Sequence, residues 1–195
     1  MLNMISEIKV GDVIDFKNPV NSVIDETAFD NIMSCLDKVK LSPEAKIIAG
    51  GKGDKSTGYF VEPTVIVTDN PHYFTMEEEI FGPVMTIYVY NDDLYDETLK
   101  ICDETSPYGL TGAIFSNDKY AMIKACRVLR YAAGNFYIND KPTGAMVGQQ
   151  PFGGARASGT NDKAGSHLNL LRWVSPRTIK ETLIPATGFR YPFME

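Results

Sequence analysis

Residues 84–139 read VMTIYVYNDDLYDETLKICDETSPYGLTGAIFSNDKYAMIKACRVLRYAAGNFYIN, and this stretch decides the fold. Val84–Tyr90, Leu110–Phe115 and Asn135–Asn139 are rich in β-branched and aromatic residues, the composition of strands. Between the first two lies Leu94–Glu104, a helix with Tyr95, Leu99 and Cys102 on one side. Asn117 can cap a second helix running to Tyr131, whose inward side carries Met122, Ala125, Cys126 and Leu129. Strand, helix, strand, helix and strand on short connections predict an α/β fold. Its form is an open, mainly parallel sheet with flanking helices and right-handed crossovers. Ligands of such sheets gather outside the carboxyl ends of the strands.

From one such end, after Asn139, leaves PTGAMVGQQPFGGARASGTND, Pro142–Asp162. Five glycines and two prolines among these 21 residues exclude both helix and strand. A loop of this length inside a domain is functional or disordered, and Met146, Val147 and Phe152 argue for one packed against something. Glycines let main-chain N–H groups approach a ligand closely and turn together on a carboxylate. Two readings stand side by side: a carboxylate-binding loop and a purely structural one.

Upstream, Met1–Asp12 carries Met1, Met4, Ile5 and Ile8 at helical spacing, an amphipathic helix too short and too acidic for a signal or transit peptide. Gly11–Pro19 is a connection, and Asp25–Lys38 a helix with the apolar stripe Phe29, Ile32, Met33 and Leu36. Lys46–Ala49 and the run YFVEPTVIV around GGKGDKSTG predict a hairpin. The glycine-rich turn lacks P-loop spacing and precedes a strand, so it is not read as a phosphate cradle. Downstream, Arg177–Leu183 alternates polar and apolar residues as a strand does.

Composition bounds the function. The chain has 195 residues, 44% hydrophobic and 23% charged, ordinary for a globular protein with a real core. A net charge of −6 gives no electrostatic footprint for nucleic acid, and no apolar run is long enough to span a membrane. Three widely spaced cysteines suit a reducing compartment, and each falls on or beside the apolar side of a predicted helix, where core packing is expected. His72 and His167 offer no metal-ligand spacing and read as solvated surface. The acidic run Glu77–Glu79 reads as a solvated face, but the IFGPV after it places a carboxylate at a strand entrance, where it can accept hydrogen bonds from sugar hydroxyls.

EEIFGPV at Glu78–Val84 resembles the signature of the aldehyde dehydrogenase superfamily. GLTGAIFS, GNFYIND and TGAMVGQQPFGGARASGTNDKAG narrow the likeness to the C-terminal part of the Δ1-pyrroline-5-carboxylate (L-glutamate γ-semialdehyde) dehydrogenases, over about Ile8 to Glu181. The resemblance implies oxidation of glutamate γ-semialdehyde to glutamate with NAD, the last step of proline breakdown, by a cysteine thiolate. It matches Glu79 to the carboxylate on the nicotinamide-side ribose and Phe81 to the aromatic beside it. Gly144 and Ala145 match the main-chain donors for the substrate's α-carboxylate, and Phe152 the aromatic on its aliphatic chain. Alanine at 145, where some members carry serine, keeps the main-chain donor and loses a hydroxyl contact, about 1 kcal/mol.

The family's nucleophilic cysteine and its glycine-rich Rossmann turn match nothing in residues 1–195, so the resemblance assigns no catalytic residue here. It divides the chain into residues 1–175, a partial catalytic domain, and 176–195, an oligomerisation strand and tail. The leading expectation is a piece of the enzyme, silent alone and joined into a homo-oligomer through Arg177–Leu183. The alternatives are a glutamate-binding module without chemistry, or an assembly partner of a separate N-terminal half. The compartment implied is the cytoplasm for a bacterial source and the mitochondrial matrix for a eukaryotic one.

Overall fold

A computed structural model describes residues 1–194; residue 195, the end of the 176–195 tail, lies outside the described residues. The first helix, α1 (Leu2–Ser6), is short, and the longest, α2 (Glu26–Leu41), starts where Asp25 accepts the N–H of Ala28 at 2.8 Å. That cap satisfies one of the donors a helix start leaves unpaired. Asp25→Ala is expected to cost about 1 kcal/mol in a urea titration followed by circular dichroism.

The strands β1 (Ala45–Ala49), β2 (Gly53–Asp54), β3 (Phe60–Val61) and β4 (Thr64–Thr68) follow. The expected hairpin is present: β1 pairs antiparallel with β4, and β2 with β3 across the glycine-rich turn. Pro63, which has no N–H to give a ladder, breaks the predicted second strand into β3 and β4. After α3 (Phe74–Glu77), β5 (Val84–Tyr88) lies parallel to β4, completing a mixed sheet in the order β1-β4-β5. The stripe of α2 packs on this sheet, burying Phe29, Ile32, Leu36 and Val39 against Val61, Ile66 and Tyr73. Each such side chain contributes about 1.5–3 kcal/mol by leaving water.

The helix α4 (Tyr95–Glu104), the strands β6 (Tyr108–Gly109) and β7 (Thr111–Ile114), the helix α5 (Lys119–Val128) and the strand β8 (Asn135–Ile138) come next. A parallel pair, β7–β8, forms the second sheet, with Leu99, Ala125 and Leu129 packed over Ile114 and Phe136. The antiparallel bridge of β6 to β9 (Ala155–Arg156) ties the long loop back to this unit, and α6 (His167–Leu170) follows it.

The α/β class and the parallel crossovers stand, with three corrections. Residues 84–139 do not build one sheet: β5 pairs with β4 and β7 with β8, because neighbouring strands in sequence need not be neighbours in a sheet. Asp118 rather than Asn117 caps α5, accepting the N–H groups of Tyr120 and Ala121, and the helix stops at Val128 rather than Tyr131. Arg177–Leu183 forms no strand and pairs with no edge among the described residues, and a lone strand has no hydrogen-bond partner to hold it extended.

Candidate functional site

The acidic run is divided by its surroundings. Glu77 at the end of α3 is taken by His72, its Oε1 3.0 Å from Nδ1. The chain then leaves the helix at Glu78 in extended conformation. The Glu79 carboxylate has no hydrogen-bond or ion-pair partner among the described residues. It lines a cleft of about 430 Å³ with Phe74 and Phe81 opposite Asn31, Cys35 and Lys38 of α2. Phe81 is 80% exposed and holds φ at 54°, a left-handed conformation that costs a bulky residue energy and marks functional sites. An acceptor-only carboxylate beside an exposed ring suits a ligand with neighbouring hydroxyls and a flat face.

Gly82 lets this turn lie on α2. A methyl carbon built there would stand 2.5 Å from Cδ1 of Ile32. Gly82→Ala is therefore expected to cost about 1–2 kcal/mol. Ile32→Val, which removes that Cδ1, should recover part of the loss in a double-mutant cycle. Additive costs would mean that the two residues do not oppose each other.

The long loop leaves β8 at its carboxyl end, as expected. Asn139 (φ 54°) is the pivot: its Oδ1 accepts Ser116 N–H at 2.9 Å and its Nδ2 donates to Ser116 O at 3.1 Å, locking the end of β8 to that of β7. Tyr137 Oη donates to Thr143 O at 2.9 Å, and Met146 O accepts the N–H groups of Gln149 and Gln150. Gly144 lies open, with nothing within 4 Å of a methyl carbon built on it, and Ala145 is half-buried. Phe152, also half-buried, sits on the returning arm with its N–H donating to Ala164 O at 2.9 Å.

The loop's glycines serve different ends. Main chain leaves no room for a side chain at Gly154, where Ser158 O lies 2.8 Å from a built methyl carbon, and little at Gly153, where Asn161 lies at 3.1 Å. Gly144 is under no such constraint. The returning arm is closed further by Ser158 Oγ, which accepts Gly109 N–H at 3.0 Å. Arg156, at φ 55°, donates to both the main-chain and side-chain oxygens of Asp103.

Thus Glu79 and Phe81 meet in one cleft at the amino end of β5. Gly144 and Ala145 lie on the outgoing arm of the loop, beyond the carboxyl end of β8, and Phe152 lies on the returning arm, which passes the amino end of that strand at Asn135. Sequence reasoning passed over the Asn135 and Asn139 amides that anchor this loop. Both stand in GNFYIND, and an asparagine at each end of a strand feeding a glycine-rich loop is the signal that points to them.

The cysteines depart from expectation in part. Cys35 and Cys126 are half-buried, whereas Cys102 is exposed as a residue, its side chain lining a cleft with Met76, Tyr88 and Tyr90. Burial of the sulfur among neighbouring atoms pushes the Cys102 thiol up, and nearby Asp103 adds to this. For Cys35 burial and then Glu78 act in the same sense. Thiols so raised hold less thiolate at a given pH. Both are expected to react with iodoacetamide at pH 8 more slowly than glutathione, read by mass spectrometry; equal rates would contradict the assigned environments.

The aldehyde dehydrogenase family model matches residues 1–179. The mitochondrial Δ1-pyrroline-5-carboxylate dehydrogenase of Dictyostelium discoideum is 63% identical over 97% of the chain and 34% of its own length. The Mus musculus enzyme of the same name is 55% identical over 97% of the chain and 34% of its own length. The crystal structure of the Mycobacterium tuberculosis Δ-pyrroline-5-carboxylate dehydrogenase bound with NAD superposes with a TM-score of 0.82 at 47% identity. It covers 100% of this chain and 35% of its own. The chain spans about a third of the length of the curated relatives it matches.

Proposed function

Because the chain belongs to the aldehyde dehydrogenase family, we propose that it forms the C-terminal part of an NAD-dependent dehydrogenase oxidising L-glutamate γ-semialdehyde to L-glutamate in proline breakdown. What supports the reading is one observation: the whole chain is alike, in sequence and in backbone, to enzymes named for that substrate's cyclic form.

In this reading the Glu79 carboxylate accepts two hydroxyls of the nicotinamide-side ribose, and Phe81 flanks the ring. The partnerless carboxylate, the exposed aromatic and the cleft between them fit such a group. NAD, when bound, accepts the hydride. Main-chain N–H groups of Gly144 and Ala145 hold the substrate's α-carboxylate, and Phe152 packs on its aliphatic chain and keeps water from it. This division suits a zwitterionic substrate, which needs donors at one end and an apolar wall along its middle.

No cysteine of residues 1–195 serves as the nucleophile. None of the three stands at a position matching the family's nucleophile: Cys35 lines the Glu79 cleft from the side of α2, where burial pushes its thiol up, and Cys102 and Cys126 are not among the residues lining that cleft. The 195-residue polypeptide is therefore silent alone. NADH formation from the semialdehyde, followed by absorbance, tests both halves of the reading. The isolated chain should give no turnover, whereas a chimera in which it replaces the matching third of the Dictyostelium enzyme should be active. Turnover by the isolated chain would end the claim of silence, and a folded but inactive chimera would end the assignment.

Residues 176–195 act in this reading as an oligomerisation segment. Ile179, Leu183 and Ile184 are 74%, 88% and 87% exposed, apolar surface that association would cover. Light scattering should report a dimer or larger species, and a monomer would count against the segment's role. The compartment follows the source: the mitochondrial matrix for a eukaryotic protein, the cytoplasm for a bacterial one.

A further inference from the structure

Asn135 begins β8, and its main chain belongs to the ladder, its N–H donating to Leu110 O at 3.1 Å. Its side chain does something else. The amide is buried, 9% exposed; its Nδ2 donates to Pro151 O at 3.0 Å and its Oδ1 accepts Gly153 N–H at 3.1 Å. These are the residues on either side of Phe152. The Phe152 N–H is held in turn by Ala164 O. A primary amide offers a donor and an acceptor side by side, as a peptide group does, so Asn135 acts as a strand of one residue for the segment 151–153.

The two arms of the loop are thus held unequally. On the outgoing arm, Thr143 is tied by a single hydroxyl at the surface, and Gly144 has open space around it. On the returning arm three hydrogen bonds fix three consecutive residues, two of them from one buried amide that cannot exchange them for water without cost. The arm offered to a carboxylate can adjust, and the arm bearing the aromatic wall cannot. Discrimination by substrate length therefore belongs to the fixed arm.

We propose that Asn135 is the positioning residue of the substrate pocket: by bracketing Phe152 it fixes the aromatic wall and so sets the chain length accepted between the amino-acid carboxylate and the aldehyde. This rests on the assignment of Phe152 made under Proposed function.

Two measurements test it. Hydrogen exchange on the 195-residue chain compares wild type with Asn135→Leu, which keeps the volume and removes both bonds. Exchange at the Gly153 amide should rise about tenfold or more, while the Asn139 amide, bonded to Ile114 O across the β7–β8 ladder, stays protected. Unchanged protection at Gly153, or collapse of the ladder with it, would overturn the proposal. In the chimera with the Dictyostelium enzyme, preference for the five-carbon semialdehyde over its four- and six-carbon homologues should fall about tenfold. The loss should come through KM, with the KM for NAD unchanged. Asn135→Asp, which keeps the acceptor for Gly153 and serves if the leucine variant does not fold, should lie between. A uniform fall for every substrate and for NAD would reduce Asn135 to a structural residue and overturn the proposal. An inactive parent chimera would count against the function assigned to the chain, and hydrogen exchange would still decide what Asn135 does.

Discussion

Gly134→Ala is expected to cost about 3 kcal/mol or more in a urea titration followed by circular dichroism. A methyl carbon on Gly134 would stand 1.8 Å from Gly153 O and 2.8 Å from its carbonyl carbon, where no real methyl fits. The obstacle is main chain, and it cannot step aside. Gly153 is bound through its N–H to Asn135, and Gly134 is itself held at both ends. Its N–H donates to Gly109 O at 2.8 Å, and its carbonyl accepts Lys163 Nζ at 2.6 Å. Relief requires breaking one of these bonds or moving the returning arm of the loop off β8. Gly144→Ala is the internal contrast: with nothing within 4 Å, it should change stability by less than about 0.5 kcal/mol. Equal costs at the two sites would sink the view that one glycine is present for packing and the other is not.

Leu36→Ala should cost about 3 kcal/mol, within the range of about 2–5 found for leucine truncations in packed cores. Leu36 is 0% exposed and sits at the centre of the α2 stripe, between Ile32 and Val39. Its neighbours belong to a helix and a sheet that close over it from opposite sides, so the hole cannot collapse without bending α2. Against the 5–15 kcal/mol that holds a typical domain together, that is a large share. The loss should reach the candidate cofactor site, because the polar side of α2 forms one wall of the Glu79 cleft. A drop below about 1 kcal/mol would mean that α2 is loosely seated, and that the cleft opposite it is not a preformed feature.

The sequence alone was enough for the elements whose cause is local. Asp25 with the stripe Phe29, Ile32 and Leu36 determines α2, because a cap and a 3.6-residue apolar period lie within one segment. The hairpin around the glycine-rich turn and the run β7–α5–β8 were legible for the same reason, and so was the family, whose motifs are contiguous. Tertiary structure alone decided which strand lies beside which, since β5 and β7 carry the same kind of residues and nothing in either names its neighbour. It also decided that Cys102 is exposed, that Arg177–Leu183 pairs with no strand among the described residues, and that Gly134 is a glycine because its backbone meets that of Gly153. The clasp of Asn135 on residues either side of Phe152 joins positions 16 and 18 residues apart. Periodicity and propensity are properties of neighbours along the chain, whereas a hydrogen bond across such a gap exists only once the loop between has closed.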